Sequence, residues 1–376
     1  MKNPFKPSFG VSPPLLVGRG ELIADHAEGL REGPGSPFRS LIIKGQRGSG
    51  KTVLLNTLED EARDLGWEVL STSARPGMAA ELQNSDLPTA LQGYPGAQTT
   101  RVTSAQGSVG PMGGGGSVEY VDHFPITASL RHLLTTLVSE VTAAGGEGLL
   151  ITVDEVSADA LDDLQVLTQA LQHLFREELE VALVVAGLPH LISDLLDHPG
   201  TTFLRRSERA DLGPIDDLEV EEALTVPMER TGKVLSGQAL QAAMNGTEGY
   251  PFMLQLVGYY TWRAARDEEV ITLEKTHDGV ERARRRIGEL VHAPALRDLS
   301  PTDRSYLVHM AVDDGPSRTR DIADRLGVGT NYAAVYRQRL IQAEIITSAG
   351  HGYVDFTLPE MREYLRSHAT HEIATP

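Results

Sequence analysis

The 376-residue chain contains no cysteine, which excludes disulfides and thiolate metal sites and points to the cytoplasm. No apolar run approaches the roughly 20 residues needed to span a membrane. The first residues, Met1-Lys2-Asn3-Pro4-Phe5-Lys6-Pro7, lack the apolar core of a signal peptide. Basic residues are scarce, 34 against 52 acidic, for a net charge of -18. That balance argues against general nucleic-acid affinity and leaves room for a local basic surface. The histidines form no H-x-x-x-H pair; the closest two, His368 and His371, sit in a tail read as mobile. There is no Gly-x-Ser-x-Gly, so no serine-nucleophile elbow is expected. What remains is a soluble globular chain, 40% hydrophobic and 23% charged, long enough for two or three domains.

Against these absences stands Gly45-Gln46-Arg47-Gly48-Ser49-Gly50-Lys51-Thr52. The preceding Arg39–Lys44 reads as a short buried strand. The following residues put Leu54, Leu55, Leu58, Ala62 and Leu65 on one helical face, with Gly66 as terminator. Strand, glycine-rich turn and helix give G-x-x-x-x-G-K-[ST] its meaning. Glycines let backbone N–H groups curl around a phosphate at the positive end of the helix. Lys51 would reach the β- and γ-phosphates of ATP, and the Thr52 hydroxyl would ligate Mg²⁺.

Downstream, Leu149-Leu150-Ile151-Thr152-Val153 ends in Asp154-Glu155. Acids closing a buried parallel strand stand at the sheet edge where ligands bind. Asp154 would hold the metal, and Glu155 would polarise the water that attacks the γ-phosphate. Further strands are expected at Trp67–Ser73, Val181–Gly187 and Ala210–Ile215, with helices at Ile126–Val141 and Leu161–Leu179. Residues 75–124 read as an irregular, mobile insertion containing Gly113–Gly116, with Thr99–Thr103 and Val118–Val121 able to pair across it.

Residues 216–292 read as all-helical, with Gly249-Tyr250-Pro251 starting one of the helices. Glu281–Arg286 is the most basic stretch and reads as a solvated or domain-joining face. Ser300-Pro301-Thr302-Asp303 caps a helix, followed by helices at Ser317–Leu326 and Asn331–Ala343 and then a hairpin. That is the winged helix-turn-helix order. Its third helix would offer Asn331, Tyr332, Tyr336, Arg337 and Arg339 to DNA. With 8 basic and 11 acidic residues, 298–376 has no basic excess, so docking to a protein stays open.

Together these motifs resemble the AAA+ and STAND-type P-loop ATPases related to the origin-recognition initiators. The resemblance implies an α/β core with a parallel sheet in the order 5-1-4-3-2 over 1–215, a helical lid over 216–297 and a winged helix over 298–376. It implies that Gly45, Gln46, Arg47, Gly48, Ser49, Gly50, Lys51 and Thr52 cradle Mg-ATP. Val17, Gly18 and Arg19 would pack beside the adenine, or else simply lead into the first helix, and the Gly249-Tyr250-Pro251 turn would lie near the nucleotide, as in ATPases with a helical lid, or else only start a core helix. Arg209, with Arg205 and Arg206 as rivals, would serve as an arginine finger toward a neighbouring subunit, or else the three form a surface cluster pairing with Glu208 and Asp211. Such proteins usually place a polar sensor after the fourth strand. This chain has Gly187-Leu188-Pro189, which implies a substitute group or slow hydrolysis. The implied protein is an ATP-dependent switch acting on DNA, or a nucleotide-regulated scaffold for a partner protein or a second copy of itself.

Overall fold

The computed structural model describes residues 2–8, 15–94, 128–297 and 299–368. They pack into two compact units, Glu21–Lys44 with Leu54–Asp211, and Met1–Gly20 with Gly45–Val53 and Leu212–Pro376.

The first unit is built from α1 (Gly20–Glu32), β1 (Ser40–Gly45), α2 (Lys51–Asp64), β2 (Trp67–Ser73), α3 (Met78–Glu81), α4 (Leu87–Leu91), α5 (Leu130–Ala143), β3 (Gly148–Asp154), α6 (Leu161–Arg176), β4 (Val181–Gly187), α7 (Pro189–Asp197) and β5 (Glu208–Leu212). Its sheet runs β2-β3-β4-β1-β5, the order expected, read from the opposite edge. The β1–β4, β2–β3 and β3–β4 pairs are parallel, with Lys44 opposite Gly187 and Ser73 opposite Asp154. Consequently Lys44, Ser73, Asp154 and Gly187 all lie at one carboxyl edge.

Both faces of the sheet are buried, which explains why its strands read as unbroken apolar runs. Ile42, Ile151, Val153, Leu183 and Val185 pack with Leu134, Leu164, Leu171 and Ile192 from the helices. The alternate residues Leu41, Ile43, Leu150, Ala182 and Val184 are equally buried. A polar pin crosses this apolar interior. Glu59 of α2 accepts a hydrogen bond from Thr152 Oγ1 at 2.5 Å, and another from Ser71 Oγ. At the opposite edge the buried Arg39 donates to Glu180 Oε2 at 2.6 Å and to the carbonyls of Gly29 and Leu30.

Three expectations need correction here. Residues 78–91 are helical, not irregular, because Met78, Leu82 and Leu87 turn inward onto the core. The expected Ile126–Val141 helix runs from Leu130 to Ala143, with Ser129 Oγ accepting from His132 N. The fifth strand begins at Glu208, so Arg209 lies within it. The proposed hairpin pairing Thr99–Thr103 with Val118–Val121, and the glycine run between them, lie outside the described residues.

The second unit continues through α8 (Asp217–Glu229), β6 (Val234–Leu235), α9 (Gly237–Thr247), α10 (Pro251–Ala264), β7 (Val270–Ile271), α11 (Leu273–Ile287) and α12 (Ala293–Arg297). Side chains on α8, α9, α10 and α11 share one core, into which Phe5 from the amino-terminal segment inserts. A β-carbon at Gly258 would stand 2.4 Å from the Phe5 ring, so glycine makes room for it. The stretch is not purely helical: β6 and β7 form a two-stranded parallel pair. Strands of two residues leave no periodicity to read.

The chain ends in α13 (Pro301–Ala311), β8 (Ser317–Arg318), α14 (Thr319–Leu326), α15 (Thr330–Gln342), β9 (Ile346–Ser348), β10 (Tyr353–Phe356) and α16 (Met361–His368). The strands form an antiparallel sheet in the order β8-β10-β9. Ser300 Oγ accepts from Asp303 N at 3.2 Å, so the α13 cap is as expected. Arg284 of α11 donates to the buried Glu360 at 2.7 Å, so this one residue of the basic stretch joins the two segments, while Arg282, Arg285 and Arg286 are exposed. His368, expected in a loose tail, closes α16 and stacks on Tyr364 with ring centroids 4.2 Å apart. His371 lies outside the described residues.

Candidate functional site

The loop after β1 has the backbone that its glycines permit. Gly48 and Gly50 adopt φ of 75° and 92°, a region costly to residues with a β-carbon. Ser49 N donates to Gln46 O at 3.2 Å, closing the turn, and α2 begins at Lys51. Gly45 is packed too tightly for a side chain: a β-carbon would lie 2.4 Å from Ser49 Oγ and 2.9 Å from Leu212 Cβ.

Lys51 Nζ donates to the carbonyls of Gly45 at 2.7 Å and Gln46 at 2.9 Å, so its charge is folded over the loop. The Ser49 hydroxyl and Gln46 Oε1 are buried without a hydrogen-bond partner among the described residues. Unspent polar groups, a lysine over a glycine-rich turn and the first turn of a 14-residue helix suit a phosphate group. Thr52 occupies the second position of α2, with an exposed side chain.

In the sheet unit, Asp154 ends β3. Its Oδ1 accepts from Glu155 N at 2.8 Å, and its carbonyl accepts from Ala74 N at 2.9 Å. Glu155 is exposed and holds φ at 56°, the left-handed region. The fixed Asp154 carboxylate and the turned backbone after it present two acids at the carboxyl edge. Gly187, at the same edge, has no room for a side chain. A β-carbon there would meet Val156 at 2.9 Å and Ile192 at 3.1 Å.

Val17 packs partly buried on the helical core of the second unit. Gly18 takes φ of 73°, and Arg19 donates to the Gly18 and Gly213 carbonyls, each at 2.8 Å. Desolvation holds the Arg19 guanidinium below its ordinary pKa, against the opposing pull of Glu219. This segment leads straight into α1.

Arg209 points outward from β5, with Nη2 3.3 Å from Arg205 O. Arg205 is spent on Leu196 O at 2.8 Å and Asp197 at 3.4 Å, while Arg206 is exposed. On α15, Asn331 and Tyr332 face outward, but Tyr336 is buried and cannot contact DNA as expected. Ala333, Tyr336 and Leu340 form the buried stripe of that helix. Arg339 is bound to Asp303 at 2.7 Å, and Arg337 reaches Ser348 Oγ at 3.5 Å.

One contact brings the Gly249-Tyr250-Pro251 turn to the loop. The Tyr250 hydroxyl donates to the Arg47 carbonyl, and its ring lies against Gly48. The Gly-x-Pro turn signals a helix start, but sequence carries no sign of where the intervening tyrosine reaches. Among the described residues no group of histidine or acidic side chains forms a ready-made metal site. The Asp154 carboxylate in one unit and the Thr52 hydroxyl in the other are each oxygen donors of the kind magnesium takes.

With that geometry in place, two solved structures can be set beside the chain. The Walker-type ATPase PABY2304 of Pyrococcus abyssi superposes with a TM-score of 0.64 at 16% identity, over 93% of this chain and 96% of that one. The ADP form of the Aeropyrum pernix ORC2 protein gives 0.56 at 16% identity, over 99% and 100%. The chain has the P-loop ATPase fold. Residues 289–365 match a domain of unknown function, DUF8462. No curated protein matches the chain. None of the described helices is long and apolar enough to cross a membrane.

Proposed function

We propose that the chain is a Mg-dependent ATP-binding protein with slow hydrolysis, a nucleotide-dependent switch whose carboxyl-terminal segment acts on DNA. The observation that carries the reading is the loop Gly45–Thr52, with left-handed Gly48 and Gly50 and the Lys51 ammonium folded over it. Backbone N–H groups of the loop and Lys51 would bind the phosphates. Thr52 and Asp154 would hold the magnesium ion, which when bound neutralises charge on the phosphate oxygens. Glu155 would orient and deprotonate the attacking water. Val17 and Arg19 would border the base.

The division proposed is an ATPase core over 1–215, a helical lid over 216–297 and a winged helix over 298–376. The order of α13, β8, α14, α15 and the β9–β10 hairpin supports the last of these. One observation favours the second reading, a scaffold whose winged helix docks a protein. The outer face of α15 exposes Tyr332 at 54% and Val335 at 55%, while Arg339 is committed to Asp303.

Calorimetric titration of ATP into the wild type and Lys51→Ala, followed by DNA retention over a salt series, tests both parts. Nucleotide binding lost in Lys51→Ala and DNA binding with a steep salt slope are expected. Equal ATP affinity in the two proteins would overturn the phosphate site. Absent DNA binding with intact ATP binding would leave the scaffold reading.

A further inference from the structure

Glu248 and Gly249, at φ of 49° and 66°, turn the chain sharply between α9 and α10. The turn is fixed to the segment that follows β5: Ile215 N donates to Gly249 O at 2.7 Å. A β-carbon on Gly249 would sit 2.5 Å from the Ile215 carbonyl, so the approach itself requires glycine. Tyr250 follows with 8% of its surface exposed, and Pro251 opens α10 in the position where a missing N–H costs nothing. The tyrosine is therefore aimed by a turn with little freedom, and its hydroxyl ends on the Arg47 carbonyl.

In a trans peptide the carbonyl and the following N–H point in opposite directions. Fixing the Arg47 carbonyl therefore also fixes the direction of Gly48 N–H, one of the loop donors. Gly48 in turn has no side chain because Tyr250 occupies the space; a β-carbon would lie 2.3 Å from the phenolic oxygen. Burial pushes the Tyr250 phenol above its ordinary pKa, so it remains a donor near neutral pH.

We propose that Tyr250 is a positioning residue for the phosphate loop, holding the Arg47–Gly48 peptide so that its N–H faces the bound phosphate. The proposal rests on the phosphate reading of the loop and adds a side chain roughly 200 residues away to it. Tyr250 is not a catalytic residue, since it acts through the peptide. It also makes the loop's donor geometry depend on the position of the 248–251 turn.

Tyr250→Phe keeps the ring against Gly48 and removes only the hydroxyl. Amide hydrogen exchange at residues 46–50 would be measured without nucleotide, alongside calorimetric ADP and ATP affinities and thermal unfolding. Loss of one hydrogen bond predicts faster exchange in the loop, affinity weaker by about fivefold and an apparent KM raised more than kcat is lowered. A purely packing role would leave all of these unchanged in the phenylalanine variant. Unchanged exchange together with unchanged affinity would overturn the proposal. If the wild type itself failed to bind either nucleotide, the phosphate reading would fall. Exchange in the nucleotide-free proteins would still decide Tyr250: faster exchange supports its hold on the loop, and equal exchange refutes it.

Discussion

Val156 closes the space beside Gly187, where a β-carbon would stand 2.9 Å from the Val156 β-carbon. The absence of a polar side chain at the end of β4 is thus a packing consequence of the residue that follows the two acids. Val156 is buried at 3% exposure, and its N–H donates to Ala186 O at 3.2 Å, so it cannot easily swing away. Gly187→Asn should destabilise the protein by about 1–3 kcal/mol through overpacking. It should not accelerate ATP hydrolysis. Unfolding in denaturant and a turnover assay check both; a stable variant with faster turnover would show that the position accepts a sensor.

Glu155 carries a strained backbone at the place where the proposed reaction needs a base. A left-handed glutamate costs on the order of 1 kcal/mol, and asparagine tolerates that conformation better. Glu155→Asn should therefore unfold at a higher temperature than wild type while losing ATP turnover. Glu155→Gln should keep Mg-ATP affinity and also lose turnover, since it removes the proton acceptor and spares Asp154. Wild-type turnover in the glutamine variant would exclude Glu155 as the base.

How far the sequence announces this site depends on how local each signal is. The loop Gly45–Thr52 and the acids Asp154-Glu155 are contiguous, and their strands are buried on both faces, so residue type alone marks them. The strand order rested on resemblance, and the register bears it out. What escaped is what depends on distant partners. Phe5 is buried only because Gly258 leaves room, and Tyr250 meets Arg47 across 203 positions. The helices over 78–91 were obscured by Asn84, Ser85, Asp86 and Pro88, turn formers that tertiary burial of Leu82 and Leu87 overrides. The inward face of Tyr336 was readable: Ala333, Tyr336 and Leu340 repeat at helical spacing.

His26 on α1 is fully buried, and neither ring nitrogen has a hydrogen-bond partner among the described residues. Burial lowers its pKa from 6.5 to about 4, so the folded protein keeps the ring neutral. Below pH 6.5 the unfolded chain takes up a proton that the folded chain refuses. Stability is then lost as pH falls from 6.5 toward 4, by up to about 3 kcal/mol in total. His26→Leu should be less sensitive to acid across that window. Urea unfolding at several pH values would show the gap between the two proteins changing in the variant's favour as pH drops. Parallel curves would mean that His26 is hydrated or protonated in the fold.

Arg209 is exposed on β5. Along β5, Ala210 and Leu212 turn inward and Arg209 and Asp211 turn outward. Asp211, the acid on the same face of β5, is paired with Lys44 at 2.9 Å. The guanidinium makes only a weak contact with Arg205 O at 3.3 Å, so moving it to another partner costs little. If it serves as an arginine finger in a neighbouring active site, Arg209→Ala should bind ATP normally and hydrolyse it slowly, by as much as about 10³-fold. Specific activity of the wild type should then rise with protein concentration as assembly completes each site. Mixing supplies the decisive measurement. Arg209→Ala retains the site and lacks the finger; Lys51→Ala lacks the site and retains the finger. Together the two inactive variants should recover part of the activity. No recovery, with wild-type activity independent of concentration, would place Arg209 among ordinary surface residues, and a switch driven by hydrolysis between subunits would lose its support.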